Sequence, residues 1–110
     1  MKKIYNFLII EKKDDIYVIY PSAELQDDLG TAGYLEYENK NKIKKGEIIL
    51  KVEASKAILN LKSPISGNIV EINKKAIENP SLINSYKIED NWIIKLKDVD
   101  KKEFEQLEDY

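Results

Sequence analysis

The chain of 110 residues contains no cysteine, no histidine and no arginine, and all 18 of its basic residues are lysine. Without cysteine it can build neither a disulfide nor a thiolate nucleophile, and without cysteine or histidine the usual zinc ligands are missing, so no metal site is expected. No side chain has an unperturbed pKa between pH 5 and 8, and Ser-His-Asp and Cys-His catalysis are excluded. The missing arginine removes the planar fork that grips phosphate or carboxylate through two bonds. With a formal net charge of -2, a nucleic-acid partner is not expected. Long apolar runs are also absent. The uncharged stretches at residues 4–10 and 63–70 fall far short of the ~20 residues of a spanning helix, so no membrane partner is expected. Met1-Lys2-Lys3 begins like a secretory signal, but no small-residue cleavage site follows and residues 11–15 are charged, which points to the cytoplasm. Any chemistry must come from a group supplied from outside.

What is present is enough for one compact domain over residues 1–110, with 43% apolar and 35% charged residues. Period-two alternation dominates. Residues 7–10 and 16–20 read as a hairpin, followed by a short helix with Ser22 as N-cap, Leu25 and Leu29 on one face, and Gly30 after its end. A strand is expected over 31–37 and a solvated loop over 38–45. Residues 48–53 and 58–62 form a second hairpin with Ala54-Ser55-Lys56-Ala57 at its tip. Pro64 and Gly67 turn the chain into a strand at 69–72, one helical turn covers 74–78, a loop covers 79–86, and the last strand covers 92–96. Asp100 and Glu103 resemble a capping box opening a C-terminal helix whose Phe104 and Leu107 face the core. Many short strands with two small helices describe a mainly antiparallel β sandwich or flattened barrel.

Lys56 stands out by position. A two-residue tip favours Asn-Gly or another glycine pair, because primed turns need positive φ, and Ser55-Lys56 provides neither; a type I turn would accept it. Such a tip projects an ε-amine away from the sheet. That suits a covalent attachment point better than a catalytic base, because a lysine base needs burial to lower its pKa from ~10.4. Against this stands the reading of an ordinary surface lysine. Other constellations carry less. Asp98, Asp100 and Asp109 match positions of a calcium loop, but Lys102 sits at a ligand position and Glu103 replaces the required glycine. Trp92 and the tyrosines read as core aromatics rather than a ligand pocket.

The segment Glu53-Ala54-Ser55-Lys56-Ala57, with Ser63-Pro64-Ile65-Ser66-Gly67-Asn68-Ile69-Val70-Glu71-Ile72-Asn73 after it, resembles the lipoyl-lysine hairpin and following strand of the glycine cleavage system H protein family. The resemblance continues in residues 78–85, 91–96, 24–30 and 45–47, and so spans nearly the whole chain. It implies a mainly β barrel-sandwich hybrid of the lipoyl/biotinyl-carrier type, with a short helix after the first hairpin and a C-terminal helix. It implies that Lys56 is amide-linked to lipoate by a lipoate-protein ligase or lipoyl transferase, which would recognise Glu53, Ala54, Ser55 and Ala57 around it. Biotin carriers usually flank their lysine with methionine, and this chain does not. A protein of this kind is a carrier and not an enzyme, with the glycine cleavage enzymes as possible partners.

Typical members also begin with an extra segment and a His-Glu-Trp motif that this chain lacks. Its length and the segments at 24–30 and 53–56 look more like the short H-like proteins encoded beside a macrodomain protein, a lipoate ligase and a sirtuin-type ADP-ribosyltransferase. In that subfamily the lipoylated protein is itself ADP-ribosylated, and the macrodomain hydrolase removes the mark. With Arg, Cys and His absent, the acceptors left are carboxylates, hydroxyls and lysines. A carboxylate with a pKa near ~3.9 is ionised at neutral pH and attacks the ribose carbon of NAD without a base. Asp27 and Asp28, near the end of the short helix, are the candidates.

Overall fold

The computed structural model describes residues 1–110. The strands are β1 (Lys2–Tyr5), β2 (Leu8–Lys13), β3 (Ile16–Pro21), β4 (Ala32–Tyr37), β5 (Lys42–Ile43), β6 (Ile48–Ala54), β7 (Ile58–Lys62), β8 (Gly67–Ile72), β9 (Ile94–Lys97) and β10 (Glu108–Asp109). The helices are α1 (Ala23–Leu29), α2 (Lys74–Glu78), α3 (Ile88–Asn91) and α4 (Lys101–Glu105), with a 3-10 turn at Pro80–Asn84. Seven strands form one antiparallel sheet in the order β10-β1-β2-β3-β9-β8-β5, and β4-β6-β7 form the other. No helix is long and apolar enough to cross a membrane.

Strand alternation builds the core. Leu8 and Ile10 of β2, Tyr17 and Ile19 of β3, and Ile94 and Leu96 of β9 share one buried cluster with Leu35 of β4, Leu50 and Val52 of β6, and Leu61 of β7. The other face of the large sheet is apolar too. Ile9, Val18 and Tyr20 form a second cluster there, covered by Ile4, Ile16, Ile88 and Trp92. This is why Leu8–Ile10 of β2 and Ile16–Tyr20 of β3 are continuous apolar runs. Trp92 is therefore only half-buried, on the outer cluster, with Lys95 Nζ 4.5 Å from its ring centroid. Tyr17 and Tyr20 are core residues as expected, whereas Tyr5, Tyr34, Tyr86 and Tyr110 are exposed.

The expected hairpins are present in register, including Glu53 opposite Ile58 just before the second tip. Five short elements depart from expectation. The first hairpin gains β1, and its edge is completed by β10 at the other end of the chain, where Lys3 Nζ meets Asp109 at 2.6 Å. The loop at 38–45 contains β5, whose Ile43 is buried. The loop at 79–86 contains the 3-10 turn, whose Ile83 is buried. α3 precedes β9, which starts at Ile94, two residues later than the strand expected at 92–96, and which is not the last, since β10 follows. The capping box forms only on one side. Asp100 caps the Lys102 and Glu103 amides, but the Glu103 carboxylate turns to Ser66 and accepts from its backbone N at 2.7 Å. It thus ties α4 to the turn before β8.

Candidate functional site

The tip at residues 54–57 closes the β6–β7 hairpin with ordinary backbone angles: no residue in it has positive φ. Ala54 N donates to Ala57 O at 2.9 Å, and both alanines are half-buried against the main core. Ser55 and Lys56 are exposed between them. Their amide groups point away from the hairpin and find acceptors elsewhere. Ser55 N donates to Thr31 O and Lys56 N to Leu29 O, each at 2.9 Å, while Ser55 Oγ accepts from Thr31 N at 2.9 Å. The tip is docked on the turn that follows α1.

That turn follows from the sequence of α1. The Ser22 side chain accepts from Leu25 N at 3.2 Å and starts the helix, Leu25 and Leu29 bury its inner face, and Gly30 ends it at a φ of 71°. A helix leaves its last carbonyls unpaired, and Leu29 O is taken up by Lys56 N. Glycine is required twice over at position 30. The φ favours it, and a Cβ there would lie 2.4 Å from Ser55 Oγ and 2.9 Å from Lys56 Cγ. The turn is held from behind by Asn84, whose Nδ2 donates to Gly30 O at 2.6 Å and whose Oδ1 accepts from Ala32 N at 2.9 Å.

The expected site residues gather at this point. The Lys56 ε-amine, expected to project freely, leans back over α1 and donates to Asp27 O at 3.3 Å. Asp27 and Asp28 are both exposed on the last turn of the helix, and neither carboxylate forms an ion pair. Glu53 has 43% of its side chain exposed on the sheet beside the tip, 3.7 Å from Lys51 Nζ. Sequence reasoning did not find Asn84 or the steric role of Gly30. A neutral amide in an expected loop carries no signal of its own, and Gly30 is explained equally well as a helix terminator. Chemically, the assembly offers one accessible primary amine on a fixed turn, with the exposed carboxylates of Asp27 and Asp28 on the helical turn beneath it.

Comparison with known proteins gives a consistent picture. Residues 3–110 match the family model described as Glycine cleavage H-protein. Over 104 residues the chain is 47% identical to a glycine cleavage system H-like protein from Staphylococcus aureus, an alignment covering 94% of each chain. It is 32% identical over 108 residues to a glycine cleavage system H protein from Thermotoga maritima, covering 97% of this chain and 86% of that one. The crystal structure of a glycine cleavage system H protein from Mycobacterium marinum superposes with a TM-score of 0.76 over 87% of this chain and 81% of that one. At 21% sequence identity that likeness speaks to the fold alone.

Proposed function

This chain belongs to the glycine cleavage H-protein family, and we propose that it is a single-domain lipoyl carrier modified on Lys56. Its architecture is a barrel-sandwich hybrid, and proteins of the family are non-catalytic carriers holding lipoate covalently on a lysine. The observation that supports Lys56 as that lysine is the docked tip: an exposed ε-amine on a backbone fixed by three hydrogen bonds to the Gly30 turn. A lipoate-protein ligase or lipoyl transferase is the partner required. The unprotonated amine attacks the acyl carbon of activated lipoate, a C–N amide bond forms, the bond to the activating group breaks, and the amine proton passes to solvent. Glu53, Ala54, Ser55 and Ala57 form the surface the enzyme reads around the lysine. Once attached, the dithiolane supplies the redox and group-carrying chemistry that the chain's own residues lack. Intact-mass measurement after incubation with ligase, ATP and lipoate tests this: the wild type gains one lipoyl group and Lys56→Ala gains none. Lipoylation of the variant would overturn the assignment.

Within the family we place the chain among H-like carriers subject to reversible ADP-ribosylation on Asp27, with Asp28 as the neighbouring alternative. Two observations favour this: the 47% identity to an H-like protein, and the position of the exposed Asp27 in the helical turn against which Lys56 rests. A carboxylate oxygen of Asp27 would attack C1 of the ribose of NAD, forming an ester as nicotinamide leaves. A sirtuin-type ADP-ribosyltransferase would add the mark and a macrodomain hydrolase would remove it. With labelled NAD, Asp27→Asn loses most of the label; full labelling of Asp27→Asn and loss in Asp28→Asn would move the site by one residue. The alternative is service in glycine cleavage, with the arm shuttling an aminomethyl group among the cleavage enzymes, which the likeness to the Thermotoga maritima protein favours. Activity on reconstitution with those enzymes would establish it. A third outcome, an interaction module that is never modified, would follow from failure of every ligase tried.

A further inference from the structure

Two side-chain amides behind the tip have no part in the chemistry of attachment. Asn84 spans the Gly30 turn, with one bond to Gly30 O and one to Ala32 N. Gln26 of α1 grips the 3-10 turn in return, its Nε2 donating to Ile83 O at 2.8 Å and to Ser85 O at 2.7 Å. These four bonds interlock segments 52 to 59 residues apart in sequence. The two backbone groups that Asn84 holds bracket Thr31, and Thr31 makes both the donor and the acceptor contact to Ser55. Lys56 N is bonded two residues before Thr31, to Leu29 O. Every backbone bond that seats the tip is therefore made to the two residues on either side of Gly30, and Asn84 holds that turn.

We infer that Asn84 is a positioning residue for the carrier lysine, setting the orientation in which Lys56 meets the acylating enzyme, with Gln26 as its support. The inference rests on Lys56 being the lipoyl lysine. Ala32 is 4% exposed, so its amide cannot exchange Asn84 for water without local opening. Removing the carboxamide leaves the turn mobile, and the tip seated on it moves too. The enzyme must then order the tip as it binds, which weakens binding of the protein substrate while leaving the acyl-transfer step intact.

The test combines ligase kinetics with hydrogen exchange on the full chain. In Asn84→Ala the KM for the unmodified protein rises about tenfold, the equivalent of one lost buried hydrogen bond, while kcat stays within about twofold. The Ser55 and Lys56 amides exchange at least about tenfold faster, and those of Leu50 and Val52 in the core are unchanged. Gln26→Ala shows the same pattern more weakly. Asn84→Asp keeps the acceptor for Ala32 N but turns a second acceptor oxygen on Gly30 O, so exchange at Ser55 and Lys56 is expected to rise at least as far as in Asn84→Ala; Gln26→Ala carries the test if neither Asn84 variant folds. Wild-type exchange at Ser55 and Lys56 in the variants overturns the inference, as does a loss confined to kcat. A wild type that no ligase modifies, but whose tip amides still depend on Asn84, would instead remove the carrier assignment and leave the positioning of the tip in place.

Discussion

At the β1–β2 turn, Asn6 and Phe7 adopt φ of 49° and 65°, whereas at the β6–β7 turn no residue has positive φ. The first is the primed geometry that matches the twist of two-residue hairpins, reached with a phenylalanine where glycine is preferred, at a cost of about 1–2 kcal/mol. Its Phe7 O accepts from Ser22 N at 2.9 Å, a bond that continues the neighbouring β2–β3 ladder. Phe7 is 47% exposed and borders an open groove of about 700 Å³ that it shares with Tyr5, Lys45 and Tyr110. The second turn avoids local strain and sends its amides to a neighbouring turn, where Leu29 O and Thr31 O receive them. Its order is borrowed. A turn held within its own sheet keeps its strain, whereas one docked on another turn can be tuned by residues that never touch the reacting group. That difference suits the second tip to presenting an amine to another enzyme.

The sharpest way to break the contrast is at the shared contact. Gly30→Ala puts a Cβ 2.4 Å from Ser55 Oγ at a left-handed φ, and overpacking together with backbone strain should cost about 2–4 kcal/mol in urea unfolding. Gly46→Ala is the control. Gly46 has a φ of 88° but open space around it, so only the backbone cost of about 1 kcal/mol is expected. Equal losses in the two variants would mean that the tip does not press on position 30. The opposite effect is expected at the first turn: Phe7→Gly should raise stability by up to about 1 kcal/mol and leave lipoylation unchanged. A loss of stability there would show that Phe7 contributes more by packing than it costs in strain.

The smallest effect lies at the base of the second hairpin. The Glu47 carboxylate accepts from Lys44 N at 2.8 Å and lies 3.4 Å from Lys40 Nζ. The bond from Lys44, helped by the charge of Lys40, holds the Glu47 carboxyl below the usual glutamate range. Because the folded value is the lower one, this stabilisation is present above the ordinary glutamate pKa of ~4.3 and is lost as pH falls through the folded value. Unfolding of Glu47→Gln should therefore differ less between pH 7 and pH 3 than unfolding of the wild type. An unchanged difference would remove Glu47 from the acid response.

Both hairpins, the Ser22 cap, the Gly30 stop and the unusual tip at Lys56 were legible because each rests on a local pattern: alternation, capping chemistry or a missing turn glycine. What was illegible is short or reciprocal. β5 and β10 have two residues each, and α3 has four, too few to show a period. Glu103 has the spacing of a capping box, yet it bonds to Ser66, 37 residues away. The seating of the tip belongs to the same class. Nothing local in Thr31 or Asn84 announces that residues 55 and 56 will rest on them, since the contacts exist only once both sheets have formed.

Tandem mass spectrometry of the protein recovered from a lipoate-replete host decides whether the docked tip carries the lipoyl group. A lipoyl amide is expected on Lys56 and on none of the other 17 lysines of the chain's 18. Lipoate on a different lysine, or an unmodified Lys56 beside a fully lipoylated control carrier in the same cells, would contradict that assignment.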